Sequence, residues 1–256
     1  MNEVNKPQLV TFDRLKVSCG QCNLNELCFP HGMSPEEMSS LDAVVEQRKP
    51  LQKNDHLYRE GDASHAIYAV RSGSVKTLVE SPNGDEQIVG FHLPGELLGL
   101  DGFMEGGHTC TAIALETTSV CVMPMPKLED LCGVLPGLQH QMNRIMSKVV
   151  TEDHLMLLML GKMSAEEKIA TFMLSISRRM KERHWKASEF VLSMPRQDIA
   201  NYLGLAVETV SRLFAQYQEA GIIKVDRRRI SILDLPRLKA IVGENDGAKT
   251  IKGHKG

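Results

Sequence analysis

The chain has 256 residues, of which 42% are hydrophobic, and a formal net charge of −2 at pH 7. This length suggests one or two domains, and the hydrophobic fraction is sufficient to bury a core. The longest purely apolar run, Leu155–Leu160, is far shorter than a bilayer-spanning helix, which excludes a helical membrane protein.

The charge is divided unevenly along the chain. The first 160 residues carry 12 Lys and Arg against 21 Asp and Glu, whereas residues 161–256 carry 18 against 11. A basic C-terminal part joined to an acidic N-terminal part indicates that the C-terminal part binds a polyanion. A charged, solvated surface without any partner would give the same counts.

A short polar loop near the N-terminus holds three cysteines, Cys19, Cys22 and Cys28. Nothing in the first thirty residues resembles a secretory signal, so we expect a cytoplasmic protein. In that compartment stable disulfides are rare, and cysteine clusters more often bind metal or carry out redox chemistry. The spacing favours an iron–sulfur cluster whose fourth ligand is one of the three remaining cysteines, and it leaves zinc and a thiol–disulfide switch as alternatives.

The N-terminal part of the chain is predicted to be an irregular cap followed by one helix. Residues 1–30 have little periodicity and surround the cysteines. The helix is predicted from Ser34 to Val45, because Ser34 can cap it, Pro35 suits its first turn and Glu37 completes a capping box.

From about Pro50 to Met125 the pattern changes to short β-type runs. Turn signals such as Ser72-Gly73, Asn83-Gly84 and Pro94-Gly95 separate these runs. Short strands at close spacing are typical of a sandwich or jelly roll rather than of a parallel sheet. The predicted strands are His56–Arg59, Ala66–Val70, Ser74–Val79, Glu86–His92, Thr111–Leu115 and Ser119–Met123.

A helical period runs from about Leu135 to Met163, which is long for a helix packed within one domain. Its seam residues alternate in steps of four and three, which is typical of a coiled coil and predicts a homodimer. Asp153 lies in this seam, where it would be repelled by its twin, so we expect a conditional dimer. An ordinary amphipathic helix with Asp153 at its rim is the alternative. The seam positions are Met142, Met146, Val149, Asp153, Met156, Leu160 and Met163.

The C-terminal part carries a DNA-binding pattern. A helix is predicted from Ser164 to about Arg183, and residues 196–215 then fit a helix-turn-helix with small Ala200 at the helix crossing and Gly204 at the turn. The exposed face of the second helix holds candidate base-reading residues, since Arg and Glu can bond base edges in the major groove. These residues are Val207, Glu208, Ser211 and Arg212.

Two further patterns complete this region. Alternating runs at Ile222–Val225 and Ile230–Leu233 predict a hairpin, as in the wing of a winged helix. Its basic turn is expected to lie near phosphates, although an exposed basic turn without a specific role has the same pattern. The tail from Gly243 is rich in Gly and Lys and is predicted to be disordered. The basic turn residues are Arg227, Arg228 and Arg229.

Taken together, these parts resemble the cyclic-AMP receptor/FNR superfamily of bacterial transcription regulators, and within it the FNR/ANR-type oxygen-responsive regulators. The resemblance extends from Cys19 to about Val242. The motifs that carry it are the Cys-x-x-Cys-x5-Cys run of Cys19–Cys28, Arg71-Ser72-Gly73, Gly84–Ile88, Gly90–Leu93, Ala114–Cys121 and Asn201–Arg212.

The resemblance implies an α+β chain with an N-terminal cluster-binding loop, a β jelly-roll sensor domain, a long dimerisation helix and a C-terminal winged helix-turn-helix. The implied boundaries are 1–30 for the iron–sulfur loop region, 31–133 for the sensor domain, 134–163 for the dimerisation helix, 164–242 for the DNA-binding domain and 243–256 for the tail.

The implied function is that of a global regulator of anaerobic metabolism genes. Cys121 matches the fourth ligand of a [4Fe-4S] cluster, whereas Cys110 and Cys132 match no ligand. In the family, oxygen converts this cluster to [2Fe-2S], the dimer dissociates and DNA binding is lost. The implied DNA site is of the type TTGAT-N4-ATCAA, read by Glu208, Ser211 and Arg212. The loop 81–86 matches a surface that contacts RNA polymerase, through Ser81, Gly84, Asp85 and Glu86.

Two other functions are not expected. Cyclic-nucleotide-binding relatives need an Arg downstream of a Gly-Glu pair, and the segment His108–Ala112 that follows Gly95-Glu96 has none, so a buried phosphate would lack a cation. A metalloenzyme on a cupin-like barrel would need clustered ligands, but the histidines of the β region are scattered. We therefore expect a non-enzymatic regulator, and a zinc- or thiol-switch-gated regulator of the same fold is the alternative.

Overall fold

The computed structural model describes residues 18–103 and 107–243. The predictions made for residues 1–17 of the cap and for residues 244–256 of the tail lie outside the described residues. Within them, seven α-helices and eleven β-strands form a β roll, a long helix and a C-terminal domain. None of these helices is long and apolar enough to cross a bilayer.

The helices and strands have the following bounds. The helices are α1 (Pro35–Val44), α2 (Met125–Val134), α3 (Pro136–Lys162), α4 (Ala165–Glu182), α5 (Arg196–Leu203), α6 (Val207–Glu219) and α7 (Leu235–Ile241). The strands are β1 (Glu46–Gln47), β2 (His56–Tyr58), β3 (Ala66–Ser72), β4 (Val75–Glu80), β5 (Glu86–His92), β6 (Leu97–Leu98), β7 (Thr111–Ala114), β8 (Ser119–Pro124), β9 (Glu189–Val191), β10 (Ile223–Asp226) and β11 (Arg229–Ile232).

The roll consists of two four-stranded antiparallel sheets, in the orders β1-β8-β3-β6 and β2-β7-β4-β5. Its core lies between the sheets, where Val70, Val75 and Val120 are buried because alternate side chains of each strand face inward. All six predicted strands are present, and the predicted α+β architecture is confirmed. The two-residue strands β1 and β6 are too short to give a periodic signal and were not predicted.

The capping prediction for α1 is confirmed. The Ser34 hydroxyl accepts a hydrogen bond from the Glu37 N–H, and the Glu37 carboxylate accepts one from the Ser34 N–H. These two bonds satisfy N–H groups that the first turn leaves without partners. The cap fixes the entry of α1, which packs next to the cysteines.

The long helix α3 is present over 27 residues, and its predicted seam residues differ in burial within the single chain. Met142 is only 6% exposed and packs in a hydrophobic cluster with Leu41 and Leu138, which we call the core below α1. Met156 packs against the core of the C-terminal domain. Met146, Val150 and Leu157 are instead 38%, 52% and 69% exposed. The chain's own domains cover the side of α3 that holds Met142 and Met156. Val150 and Leu157, each one residue after a predicted seam position, are the apolar side chains left exposed to a second copy. We call Met146, Val150, Asp153 and Leu157 the α3 stripe.

The C-terminal domain, α4 to α7 with the small sheet β10-β11-β9, is called the head below. Its helix-turn-helix is formed by α5 and α6, with Gly204 in the left-handed region at φ 60°, as the turn requires. Ala200 is 1% exposed at the helix crossing, as predicted. The strand β9 and the helix α7 complete the head and were not predicted.

The head contacts the roll directly. The Asn201 side chain of α5 lies along the free edge of β5, where its Oδ1 accepts from the Ile88 N–H at 2.6 Å and its Nδ2 donates to the Glu86 carbonyl at 2.7 Å. Lys76 of β4 forms an ion pair with Asp198 of α5 at 2.9 Å. The helix thus supplies the hydrogen bonds that a further strand would supply to the sheet edge.

Candidate metal centre and nucleic-acid interface

Four of the six cysteines line one cavity between the N-terminal loop and the roll. Cys19, Cys22 and Cys28 belong to the loop 19–28, which we call the cysteine loop, and Cys121 comes from β8 below it. The fold brings Cys121 to the loop because β8 lies in the sheet on which the cysteine loop rests. The remaining wall is largely apolar and includes Leu24, Phe29, Leu41, Val45, Ala69, Val70 and Met123.

Both ends of the cysteine loop are held by hydrogen bonds. At its start, the Cys19 N–H donates to Oδ1 of Asp42 at 2.7 Å, and the Ser18 hydroxyl donates to the other oxygen of the same carboxylate. At its end, Nε2 of Gln141 donates to the Cys28 carbonyl at 3.3 Å. Asp42 lies on α1 and Gln141 on α3, so the loop is bonded to the same helix that carries the α3 stripe.

The cavity disfavours thiolates that have no positive partner. Burial, with smaller contributions from repulsion by Cys121 and Cys22, raises the pKa of Cys28 to about 12. Burial also raises the pKa of Cys121 and of Cys19, where the Asp42 carboxylate adds to the effect. Bound metal ions would reverse this balance, because their positive charge stabilises the thiolate form. The donors therefore suit metal ligation better than thiol chemistry of their own.

The arrangement of the thiols bears on the size of the bound group. Within residues 18–103 and 107–243, no three His, Cys, Asp or Glu side chains converge closely enough to hold a single metal ion. A structural zinc ion needs four ligands around one point. The four thiols instead belong to different parts of the wall of one shared cavity. This distribution fits a group of several metal atoms better than one ion.

The other two cysteines lie outside this cavity. Cys110 directly precedes β7, and its Sγ lies 3.7 Å from the Asp101 carboxylate and 3.9 Å from the Tyr58 hydroxyl. Cys132 is on α2, packed beside the core below α1. None of the six cysteines forms a disulfide.

The segment 108–112, in which a cyclic nucleotide would need a cation, lies beside acidic and aromatic side chains. The His108 ring is stacked on Tyr58 with 3.7 Å between the ring centroids, and its Nδ1 lies 3.4 Å from the Asp101 carboxylate. Glu96, the acidic residue of the Gly-Glu pair, is bonded to Arg179 of α4 and to Arg183, which directly follows α4. Glu96 and His108 thus have partners within the chain itself.

The candidate base-reading residues all lie at the surface of α6. Val207, Glu208, Ser211 and Arg212 are exposed, while Val210 and Leu213 on the opposite face are buried. Because Glu208 and Arg212 are both exposed on one face of α6, both side chains can approach a base edge.

The three wing arginines have different surroundings. Arg227 occupies the two-residue turn between β10 and β11 at φ 55°. Nε of Arg228 donates to the Leu192 carbonyl at 2.7 Å, and Arg229 forms an ion pair with Glu189 at 2.6 Å. Because Arg228 and Arg229 have partners inside the head, Arg227 is the arginine of the three best placed to reach a phosphate.

The loop 81–85 between β4 and β5 is an exposed turn. The Ser81 hydroxyl accepts from the Asp85 N–H at 3.1 Å, and Gly84 has φ 83°, which only glycine adopts without strain. Asp85 and Glu86 present their carboxylates to solvent. The turn holds an acidic surface beside the head.

Several residues of the site gave no signal in the sequence. Asp42 and Gln141 support the cysteine loop from helices that lie 23 and 113 residues away along the chain. Asn201 falls inside the quoted helix-turn-helix motif, but its bond to β5 could not be inferred from that motif. Long-range pairs of this kind have no periodic pattern.

Comparison with known proteins agrees with these features. A family model described as a cyclic nucleotide-binding domain matches residues 48–133, and one described as a Crp-like helix-turn-helix domain matches residues 167–241. The chain is 46% identical over 225 residues to the transcriptional activator protein Anr of Pseudomonas protegens, covering 88% of this chain and 92% of that one. It is 43% identical over 229 residues to the anaerobic regulatory protein of Haemophilus influenzae, covering 90% and 89%. Among solved structures, FixK2 from Bradyrhizobium japonicum is similar with a TM-score of 0.71 and 30% identity, covering 77% of this chain and 97% of that one.

Proposed function

The chain belongs to the CRP/FNR superfamily of transcription regulators, among its Anr- and FNR-type anaerobic regulators, and we propose that it senses oxygen through a [4Fe-4S] cluster. The observation that carries this proposal is that Cys19, Cys22, Cys28 and Cys121 line one cavity although Cys121 is distant in sequence. We assign these four thiolates as the ligands of the cluster.

The chain contributes the shape and polarity of the cavity. When bound, the cluster would supply the reactivity toward oxygen. The largely apolar wall limits the access of water, and the four thiols are the residues that would hold the group. The hydrogen bonds of Asp42 and Gln141 fix the two ends of the cysteine loop, and we infer that the Gln141 bond transmits a rearrangement of the loop to α3.

The dimer of the active regulator would form through the α3 stripe. Met146, Val150 and Leu157 are exposed apolar side chains at coiled-coil spacing, and burying them against a second copy would favour association. Asp153 lies exposed among them, so two copies would place like charges face to face. A dimer with one repulsive contact is only marginally stable. A change in the cysteine loop can therefore decide whether the dimer forms.

The heads of the dimer would then read a palindromic site of the type TTGAT-N4-ATCAA. We propose that Glu208, Ser211 and Arg212 contact base edges in the major groove, with Val207 near a thymine methyl and the wing at the phosphates through Arg227. The acidic loop 81–86 is proposed to contact RNA polymerase. This function places the protein in the cytoplasm with the DNA.

Glu208→Val is expected to change base preference at one position of each half-site. The carboxylate can accept from cytosine N4, and its loss should change discrimination there by about 1–3 kcal/mol. Binding to a panel of single-base variants of the site would measure this. Glu219→Val, an exposed Glu at the far end of the same helix, is the matched control. An unchanged base profile for Glu208→Val would show that Glu208 reads no base.

Cyclic AMP is expected not to bind. The segment 108–112 supplies no cation, and Glu96 is already bonded to Arg179 and Arg183. A ligand present at a hundred times its dissociation constant would stabilise the fold by about 2.7 kcal/mol. Thermal unfolding with and without millimolar cyclic AMP should therefore give the same midpoint, and a clear rise would contradict this expectation.

The proposal as a whole is tested by an absorbance spectrum of protein purified without oxygen, with sizing before and after exposure to air. We expect visible absorbance that decays in air while the dimer becomes a monomer. A colourless protein that is dimeric in both conditions would contradict cluster-based sensing. A zinc assay and a thiol titration would then distinguish the two alternative regulators of the same fold.

A further inference from the structure

A buried group of three charged side chains joins the roll to the head. Glu96 lies in the turn before β6, and its Oε1 accepts from Nε of Arg179 at 2.8 Å and from Nη2 of Arg183 at 2.6 Å. Nη2 of Arg179 also bonds the second carboxylate oxygen. The side chains of Glu96, Arg179 and Arg183 are 19%, 14% and 1% exposed. Arg179 of α4 and Arg183 at its C-cap thus share one carboxylate of the roll.

The same arginines also bond the backbone around Glu96. Arg179 donates to the Phe91 carbonyl at 2.5 Å, and Nε of Arg183 donates to the Pro94 carbonyl at 2.8 Å. Burial opposes ionisation of Glu96, but the two arginines outweigh it and hold the pKa of this carboxyl at about 2. The group is therefore charged at any physiological pH. Removing its one negative charge would leave two buried cations unpaired, which is costly.

The other side of this turn forms part of the cysteine cavity. Gly95 lines the cavity and has φ 89°, and a Cβ at this position would lie 2.9 Å from Cβ of Leu27 in the cysteine loop. The turn is also bonded to β3, since the Gly95 N–H donates to the Val70 carbonyl at 2.7 Å and the Val70 N–H donates to the Glu96 carbonyl at 2.9 Å. One turn therefore contacts the cysteine loop and α4 at once.

Aromatic packing next to this turn reaches the helix-turn-helix. Tyr202 of α5 packs on Phe91 of β5 and on Phe172 of α4, with ring centroids 5.0 Å and 6.1 Å apart. A displacement of α4 relative to the roll would disturb these contacts and move α5. The base-reading face of α6 points to solvent in the observed arrangement, so this position of the head leaves DNA access open.

We propose that Glu96 is a positioning residue for DNA binding, which holds the head against the roll through Arg179 and Arg183, and that the Gly95-Glu96 turn transmits changes in the cysteine cavity to the head. The assignment of a cluster to the cavity rests on the proposed function. The contact between the Gly95-Glu96 turn and the head does not depend on that assignment. A dimer must place two recognition helices about one helical turn of DNA apart. A head that is already held in position loses less conformational entropy when it binds DNA. It also discriminates better against a site whose half-sites have the wrong spacing.

The test compares full-length wild type with Glu96→Gln, both purified without oxygen. Binding is measured to a palindromic site and to the same site with one base pair inserted between its half-sites. We expect Glu96→Gln to keep the wild-type absorbance and dimer mass, to bind the unaltered site at least about tenfold more weakly, and to discriminate less between the two spacings. Glu96→Asp should recover part of both properties. Arg178→Gln, at an exposed residue of α4 that pairs with Glu182, is the matched control and should behave as wild type.

The transmission from the cavity has its own readout. The measurement is made at a protein concentration at which sizing shows a dimer both before and after a chelator empties the cavity. In wild type, emptying the cavity should change the ratio of the affinities for the two spacings. In Glu96→Gln, that change should be at most half as large. Wild-type affinity and wild-type spacing discrimination in Glu96→Gln would overturn the proposal.

A second variant covers the case in which Glu96→Gln does not fold. Lys76→Gln removes the ion pair with Asp198 at the other end of the interface between roll and head, and it should reduce spacing discrimination in the same sense. Unchanged discrimination there would overturn the proposal as well. A colourless wild type would contradict the proposed cluster and not the positioning of the head, because the spacer comparison does not depend on what occupies the cavity.

Discussion

Serine at Cys19, Cys22, Cys28 or Cys121 is expected to abolish the visible absorbance of protein purified without oxygen. A hydroxyl is a poor ligand for iron in such a cluster, and each of the four corners needs its own thiolate. The effect should be nearly complete for each variant, because the largely apolar cavity wall carries no fifth thiol to replace the lost one. The measurement is the visible spectrum per mole of folded protein.

The remaining two cysteines supply the control for this series. Cys110→Ser and Cys132→Ser should keep the absorbance of wild type, since neither residue lines the cavity. Thermal unfolding of all six variants would separate loss of the cluster from loss of the fold. Full absorbance in Cys121→Ser would contradict the assignment of the fourth ligand, even if the other three variants were colourless.

Asp153→Ala is expected to produce a dimer that persists in air and still binds DNA. Two carboxylates about 4 Å apart repel each other by about 1 kcal/mol in water and about 4 kcal/mol in partly buried surroundings. Removing this repulsion should tighten the dimer by about fivefold to nearly a thousandfold. Sizing of the air-exposed variant over a range of concentrations would measure the change.

Glu152→Ala is the matched control for Asp153→Ala, because it removes the same charge from the neighbouring position on a different face of α3. It should leave the dimer as sensitive to air as wild type. If Asp153→Ala remained monomeric in air, repulsion within the α3 stripe could not be the reason that the dimer is conditional.

The chain's elements were predictable where local chemistry determines them. The capping box at Ser34 and Glu37, the glycine turn at Gly204 and the alternation of the six longer strands each depend on neighbouring residues, and each is present in the structure. The two-residue strands β1 and β6 depend on tertiary contacts for their stability, and no pattern of two residues could have indicated them. Helix α7 has a local signal, Asp234 as its N-cap and Pro236 in its first turn, which was not recognised in the sequence.

The face of α3 was predicted less well, for a physical reason. This helix is apolar on more than one side, and spacing alone cannot tell which side meets the chain's own domains. Met142 and Met156 fit the coiled-coil spacing, but the core below α1 and the head cover them. Val150 and Leu157, each one position further along than the predicted Val149 and Met156, are left exposed.

The candidate site was only partly accessible to sequence reasoning. The three clustered cysteines indicated a metal or redox site by themselves, while Cys121 entered only through the family resemblance. The Glu96 contact with Arg179 and Arg183 joins residues more than eighty positions apart. In the sequence, Glu96 stands out only as half of a Gly-Glu pair of the nucleotide-binding kind, and its partners Arg179 and Arg183 are visible only in the folded chain.

The bond between Asn201 and β5 has a consequence for solubility. β5 is the last strand of its sheet, and a bare edge strand is a template on which other chains can pair and aggregate. The side chain of Asn201 occupies the N–H of Ile88 and the carbonyl of Glu86 on this edge, beside the exposed Val89. A roll produced without its head would lose this cover, so the DNA-binding domain also protects the sensor domain from self-association.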